Sequence, residues 1–339
     1  MAPQISYLTL GQRIVSMIDA NLQLLAQTAA YRWSVGVLRR LGITGRGLVI
    51  AVPAIWLLLF FLIPFVIVVK ISLAPSVFVG QPPYGPLIEW TSDHVLQLKL
   101  HVRNYRDLFG QDALYFQAFV YSLKVAAVST VLCLLIAYPM AYGIARASPN
   151  WRNTLLLLVV LPFWTSFLIR VYAWIGLLRN NGLINHVLMS LGIIDEPIVM
   201  MQTDFAMYVG IVYSYLPFMI LPLYANLEKH DVTLLEAATD LGATPMRAFL
   251  RITLPLSMPG IIAGSMLVFI PAVGEFVIPR LLGGTDSLMI GRVLWDEFFT
   301  ARSWPRASAV AVLLLLVLVL PIVIFQRYQA RETSGLANR

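Results

Sequence analysis

Residues 234–255 read LLEAATDLGATPMRAFLRITLP. The stretch carries Glu236, Asp240, Arg247 and Arg251, then runs into an apolar segment from Met258 onward. What surrounds it decides how it is read. Of 339 residues, 59% are hydrophobic and 12% are charged, whereas soluble domains carry about 25% charged residues. The chain is therefore expected to cross a membrane several times, on helices long enough for about 30 Å of hydrocarbon. The segment at 234–255 is then a charged, punctuated loop between two spans.

Six spans are expected, at about 48–72, 116–145, 154–178, 205–227, 258–280 and 306–326. Most contain a proline, such as Pro64, Pro139, Pro162, Pro217 or Pro271. Spans tolerate proline where neighbouring groups re-satisfy the freed carbonyl. The expected fold class is an all-α polytopic helical bundle: a basic segment at 1–47, a six-span domain at 48–326 with its loop at about 228–257, and a tail at 327–339. No convincing internal repeat appears, which counts against transporters built from inverted halves.

Charge sets the orientation. With the N-terminus in the cytoplasm, the inner segments hold Arg13, Arg32, Arg39, Arg40, Arg46, Arg146, Arg152, Lys229, Arg247, Arg251, Arg327, Arg331 and Arg339. The outer segments hold about half as many cations: Lys99, Arg103, Arg106, Arg179, Arg292 and Arg302. Both termini and the 228–257 loop are thus expected inside, and the 73–115 loop outside. Within 1–47, Ile14, Ile18, Leu22 and Leu25 share one helical face, as in a helix lying along a membrane surface.

The net charge of +7 does not indicate nucleic acid, because the arginines flank apolar spans and form no stripe. One cysteine, Cys133, excludes an intrachain disulfide. The four lysines, Lys70, Lys99, Lys124 and Lys229, never follow a glycine, so no phosphate-binding G-x-x-x-x-G-K-[ST] loop exists on this chain. His94, His101, His186 and His230 lack metal-ligand spacing. No cofactor and no catalytic residue is expected here; an energy source must lie on another chain.

The loop itself is read from its punctuation. Thr233 and Glu236 have capping-box spacing. Leu234 to Leu241 form a short, largely apolar helix, and Gly242 supplies a left-handed end. Thr244-Pro245 restarts a helix with a threonine cap and proline in the first turn. Local propensity explains each device alone, but not why a connecting loop of this length is so structured. A knob of small residues offered to the cytosol points to a protein partner.

Glu236-Ala237-Ala238, then Gly242, then Ile252-Thr253-Leu254-Pro255 resembles the EAA signature of ATP-binding cassette importer permeases, complete in residue type and spacing. The strings LPFWTSFLIRVYAWIGLL, GIVYSYLPFMILPLY and GSMLVFIPAVGEFVIPRLLGG make it most similar to polyamine permeases, the putrescine type especially. The resemblance implies a type I importer permease in a bacterial inner membrane. It implies that Glu236, Ala237, Ala238, Asp240, Gly242, Ala243, Pro245, Leu254 and Pro255 seat in an ATPase subunit. It also implies three kinds of partner: a second similar permease, a pair of ATPases that hold ATP and magnesium, and a periplasmic binding protein.

Ionisable residues inside spans are functional hypotheses. Lys124 is explained by snorkelling. Arg170 either caps carbonyls or pairs with Glu275. Glu275, in IPAVGEFVIP, either faces substrate or forms that structural pair; Gly274 and the prolines at 271 and 279 suit a broken helix. Trp164, Tyr172 and Trp174, with Tyr213, Tyr215 and Phe218, are candidates for a wall attractive to a diamine. Rival readings are a permease of the same family for another small cationic or organic solute and a self-sufficient proton-coupled secondary transporter.

Overall fold

The computed structural model describes residues 45–77, 80–90, 96–110 and 113–337. The amphipathic stretch expected before residue 45 lies outside them. By internal packing the chain divides into Met1–Ile67 and Val68–Arg339. Helix α1 (Gly45–Leu57), a π turn (Leu58–Leu62) and α2 (Ile63–Ser72) give the first candidate span, Val49–Ser72. Val49, Ile55, Trp56, Phe60 and Phe61 are all exposed, so this helix is apolar on every side, as a helix in hydrocarbon is.

The 73–115 loop contains the only strands among the described residues, the antiparallel pair β1 (Ile88–Trp90) and β2 (Leu96–Leu98). It ends in the short helix α3 (Arg103–Phe109). The Asn104 amide donates to the carbonyls of Ser72 and Ala74 at 2.8 and 2.9 Å, which ties the loop to its own root.

Two later spans are unbroken helices much as the hydropathy indicates: α4 (Ala113–Arg146) and α8 (Asp204–Leu227). The last, α15 (Trp304–Ala337), runs further than the expected 306–326. The third span departs from expectation. It is α5 (Pro149–Val160), a 3-10 turn through Trp164, and α6 (Phe167–Leu178), and the chain bends by 90° between its halves. Ser166, extended at φ −57 and ψ 138, restarts the helix after Pro162 has ended the first one. A short α7 (Leu183–Ser190) follows.

The fifth span is also shorter than the expected 258–280. Helix α12 (Met258–Val273) stops at Gly274, and α13 (Val277–Leu281) and α14 (Ile290–Trp295) follow as separate pieces. Helices α4, α8 and α12 pack on one another as the core of this unit. Met219, Ile220, Leu223, Ala137, Ala141 and Val268 are buried between them. A Cβ on Gly264 would meet Met219 Sδ at 2.8 Å, so the backbones of α8 and α12 approach closely there. Small residues permit such contacts between membrane helices.

Candidate functional site

Two places concentrate polar order: the 228–257 loop and the interruption at Gly274–Phe276. The loop starts at the end of α8. Asp231 Oδ1 accepts from the Thr233 amide at 3.0 Å, and Val232 is already helical at φ −66 and ψ −29. The capping residue of α9 (Thr233–Asp240) is therefore Asp231, and the Thr233–Glu236 capping box is not formed. Aspartate and threonine both cap well, and the acid two residues upstream takes the role. The Thr233 amide in turn holds the Asp231 carboxyl below its ordinary range.

The other end follows the reading. Gly242 has φ +81, its amide donates to Thr239 O, and Ala243 N donates to Ala238 O, both at 2.9 Å. These are the two bonds of a Schellman ending. Thr244 Oγ1 accepts from Arg247 N at 3.4 Å with Pro245 in the first turn of α10 (Pro245–Ala248). Helix α9 buries no residue, and Leu241 at its tip is 89% exposed. Glu236, Ala237, Asp240, Gly242 and Pro245 are exposed with it, while Ala238 and Ala243 are half-buried.

The return leg is a π turn (Phe249–Thr253), α11 (Leu254–Leu256) and then α12, with a 62° bend near Ser257. Pro255 is exposed and Leu254 half-buried on this leg. Buried Ser257 Oγ lies 2.8 Å from Leu254 O and 2.9 Å from Tyr138 Oη of α4. The Phe249 ring meets Tyr138 and Tyr142 edge-on. The root of the loop is held separately. Arg152 donates to Glu228 at 2.8 Å, to Ala145 O at 3.0 Å and to Ala147 O at 3.5 Å. One side chain thus ties the ends of α4 and α8 to the start of α5.

At the interruption, Glu275 is 8% exposed. Its Oε1 accepts from the amides of Phe276, Val277 and Ile278 at 3.1, 3.0 and 3.4 Å. Its Oε2 accepts from the Tyr215 hydroxyl at 2.6 Å. The carboxylate therefore caps α13 and holds it to α8. Helix α14 packs on the same place, since a Cβ on Gly291 would run into the carbonyl oxygens of Gly274 and Glu275. Ser122 Oγ of α4 accepts from Ile290 N at 2.7 Å. A carboxylate in this position is satisfied without a cation, because the interruption frees the amides that it needs.

The Glu275–Arg170 pair entertained from the sequence is not formed. The Arg170 guanidinium lies over Phe163 and Phe167, 4.7 and 5.8 Å from the ring centroids. Its Nε and Nη1 are buried without a hydrogen-bond partner. The candidate aromatic wall is brought together in part. Trp174 meets Tyr213, and Phe218 meets both Tyr215 and Phe163. Trp164 and Tyr172 are instead 74% and 58% exposed.

Residues 24–335 match the family described as the binding-protein-dependent transport system inner membrane component. The chain belongs to that family. It is 41% identical to the spermidine/putrescine transport system permease protein PotB of Haemophilus influenzae, over 82% of this chain and 92% of that one. It is 44% identical to the protein of the same name from Escherichia coli K12, over 64% of this chain and 78% of that one. The fold is that of a solved bacterial ABC transporter involved in import of the acidic polysaccharide alginate. The TM-score is 0.60 at 18% identity, covering 88% of this chain and 98% of that one. The permease is thus a multi-pass inner-membrane transport component.

Several residues of this permease's two centres escape a reading by motif. A run of rings leads from Phe276 to Trp295 at 4.3 Å, to Phe299 at 4.1 Å, to Phe298 at 4.9 Å and to Trp304 at 5.0 Å. It ends on Tyr84 of the 73–115 loop at 6.2 Å. Arg280 Nη1 and Asp296 Oδ1 form an ion pair of 3.0 Å beside it. The spacing Trp295, Phe298, Phe299 is the one helical sequence signal for this run.

Proposed function

We propose that this permease is the subunit through which an ATP-driven importer moves a polyamine, putrescine first and spermidine second, into the cytoplasm. The observation that carries this is the 41% identity to a spermidine/putrescine permease across 82% of the chain. In this reading the substrate arrives on a periplasmic binding protein. A second, similar permease completes the path, and a pair of ATPases holds ATP and magnesium.

The 228–257 loop is the surface that seats in an ATPase, through Glu236, Ala237, Ala238, Asp240, Gly242, Ala243 and Pro245. An 89% exposed Leu241 on a helix that buries nothing supports that role, since large exposed apolar groups mark contact surfaces. Leu254 and Pro255 carry its movement toward α12. Both termini lie in the cytoplasm and the 73–115 loop outside, as the arginine distribution supports. The path runs by Trp174, Tyr213, Tyr215 and Phe218. Glu275 contributes there as the fixed negative group that shapes the interruption.

The test is uptake by the assembled complex in vesicles with labelled putrescine, labelled spermidine and an uncharged solute of similar size. ATP-dependent uptake of the amines alone is expected. Uptake of a different solute class overturns the substrate. Amine uptake by this chain without ATPase subunits overturns the mechanism in favour of a secondary transporter.

A further inference from the structure

Glu275 has both oxygens hydrogen-bonded within the protein, so a carboxylate that meets an incoming ammonium group is sought elsewhere. The carboxylates near the interruption differ in what already holds them. Glu275 gives one oxygen to three amides and the other to Tyr215. Glu297 is 14% exposed, with Oε1 facing Tyr115 and Arg306 and Oε2 buried without a hydrogen-bond partner. Asp204 receives the hydroxyls of Tyr121 and Ser287 at 2.7 and 3.2 Å. Asp296 is held by Arg280 at 3.0 Å, with the two side chains 43% and 47% exposed.

That arginine also lines a groove of about 280 Å³ whose other walls include Leu168, Tyr172, Phe276 and Trp295. Phe276 and Trp295 stack at 4.3 Å with 11° between their planes, which makes a flat, rigid apolar wall. Such a groove suits the methylenes of a short aliphatic amine, and aromatic faces also attract its charged ends. An ion pair as exposed as Arg280–Asp296 is weakly held, so a second cation can exchange for the first.

We infer that Asp296, 3.0 Å from the Arg280 that lines this groove but not itself part of the lining, receives an ammonium end of a polyamine whose methylenes lie in the groove, and that Arg280 occupies its place until substrate arrives. The inference rests on the polyamine reading above. It also gives Arg280 a defined exit. Arg280 lies on α13, whose first amides are capped by Glu275, so release of the guanidinium occurs at the helix that the interruption positions.

The experiment is uptake of labelled putrescine by the full complex in vesicles, with saturating loaded binding protein, alongside the yield of intact complex. Asp296→Asn is expected to lower uptake at least tenfold at normal yield. Arg280→Gln is expected to transport faster than the wild type, because it leaves Asp296 open. Opposite signs for two partners of one pair distinguish a receptor from a structural bridge. Equal losses in both variants, recovered in the double variant, overturn the inference while leaving amine transport standing. If Asp296→Asn fails to assemble, the Arg280→Gln arm decides alone: a rate above wild type supports the inference, and a wild-type rate or a loss overturns it. A wild-type complex that moves no amine overturns both this inference and the reading beneath it.

Discussion

Replacing Glu275 by glutamine tests what holds the interruption together. The carboxylate accepts four hydrogen bonds from two sources, three successive amides and the Tyr215 hydroxyl. Bonds to a charged group contribute about 1.5–3 kcal/mol and neutral ones about 0.5–1.5 kcal/mol. Glutamine keeps an oxygen for the amides but loses the charge, and its NH₂ faces a hydroxyl that formerly donated. The three amides converge on one oxygen and weaken together, so the expected destabilisation is about 2 kcal/mol. Glu275→Ala leaves amides and hydroxyl unpaired in a buried site, at about 4 kcal/mol or more. Tyr215→Phe removes one of the shared bonds, so its effect should be less than additive with Glu275→Gln, by about 1 kcal/mol. Arg170→Gln shares no partner with Glu275 and should show no rescue. The measurement is the fraction of complex surviving a heating series in nanodiscs, for single and double variants. Recovery of Glu275→Gln by Arg170→Gln would refute this account and restore the ion pair.

Further expectations concern the contacts around the two centres. Gly291→Ala forces a methyl into the carbonyls of Gly274 and Glu275 and should cost about 1–3 kcal/mol by overpacking, read in the same heating series. Gly242→Ala meets nothing within 4 Å, so its cost of about 1–2 kcal/mol is that of the left-handed backbone alone. It should weaken ATPase retention on copurification, and Gly242→Asn should weaken it less. Arg152→Ala should uncouple ATP hydrolysis from uptake, seen as more ATP spent per polyamine moved, with Arg152→Lys intermediate because a lysine lacks the planar fork. In a Cys133→Ser background, a cysteine at Gln81 should react with an impermeant thiol reagent from outside, and one at Thr239 only after the inner face is opened. The reverse pattern would invert the topology.

Local chemistry was legible where it had no competitor. Gly242, Thr244 and Pro245 behave as their types require because bonds within the loop suffice to fix them. The start of the same loop was misread by two residues, since Asp231 and Thr233 are both good caps and spacing to Glu236 favoured the wrong one. Glu275 stood out as an expensive group in a span, and Gly274 announced the interruption. Its partners are not legible, because the donors are no cation but the three amides after it and the Tyr215 hydroxyl 60 residues earlier. The 90° bend of the third span has a signal in Pro162 and Ser166, but hydropathy runs straight through both. Gly260 and Gly264 have the small-xxx-small spacing of close helix contacts, a cue that a count of apolar residues passes over. Asp296 and Arg280 lie 16 residues apart, and only the folded-back chain between α13 and α14 brings them together.

The bend at Ser257 has a mechanical reading. From Pro245 to Leu256 is about 18 Å of helix, and from Met258 to Val273 about 24 Å, at 1.5 Å per residue. The second arm is bent 62° away from the line of the first, and the point where they meet is tied to α4 by the Ser257–Tyr138 hydrogen bond. The far arm is packed on α4 and α8, so it does not swing freely about the elbow. A push at the loop would be turned at the bend and passed along α12 to Val273, one residue before the interruption. Removing the Tyr138 hydroxyl would loosen the elbow without touching either arm.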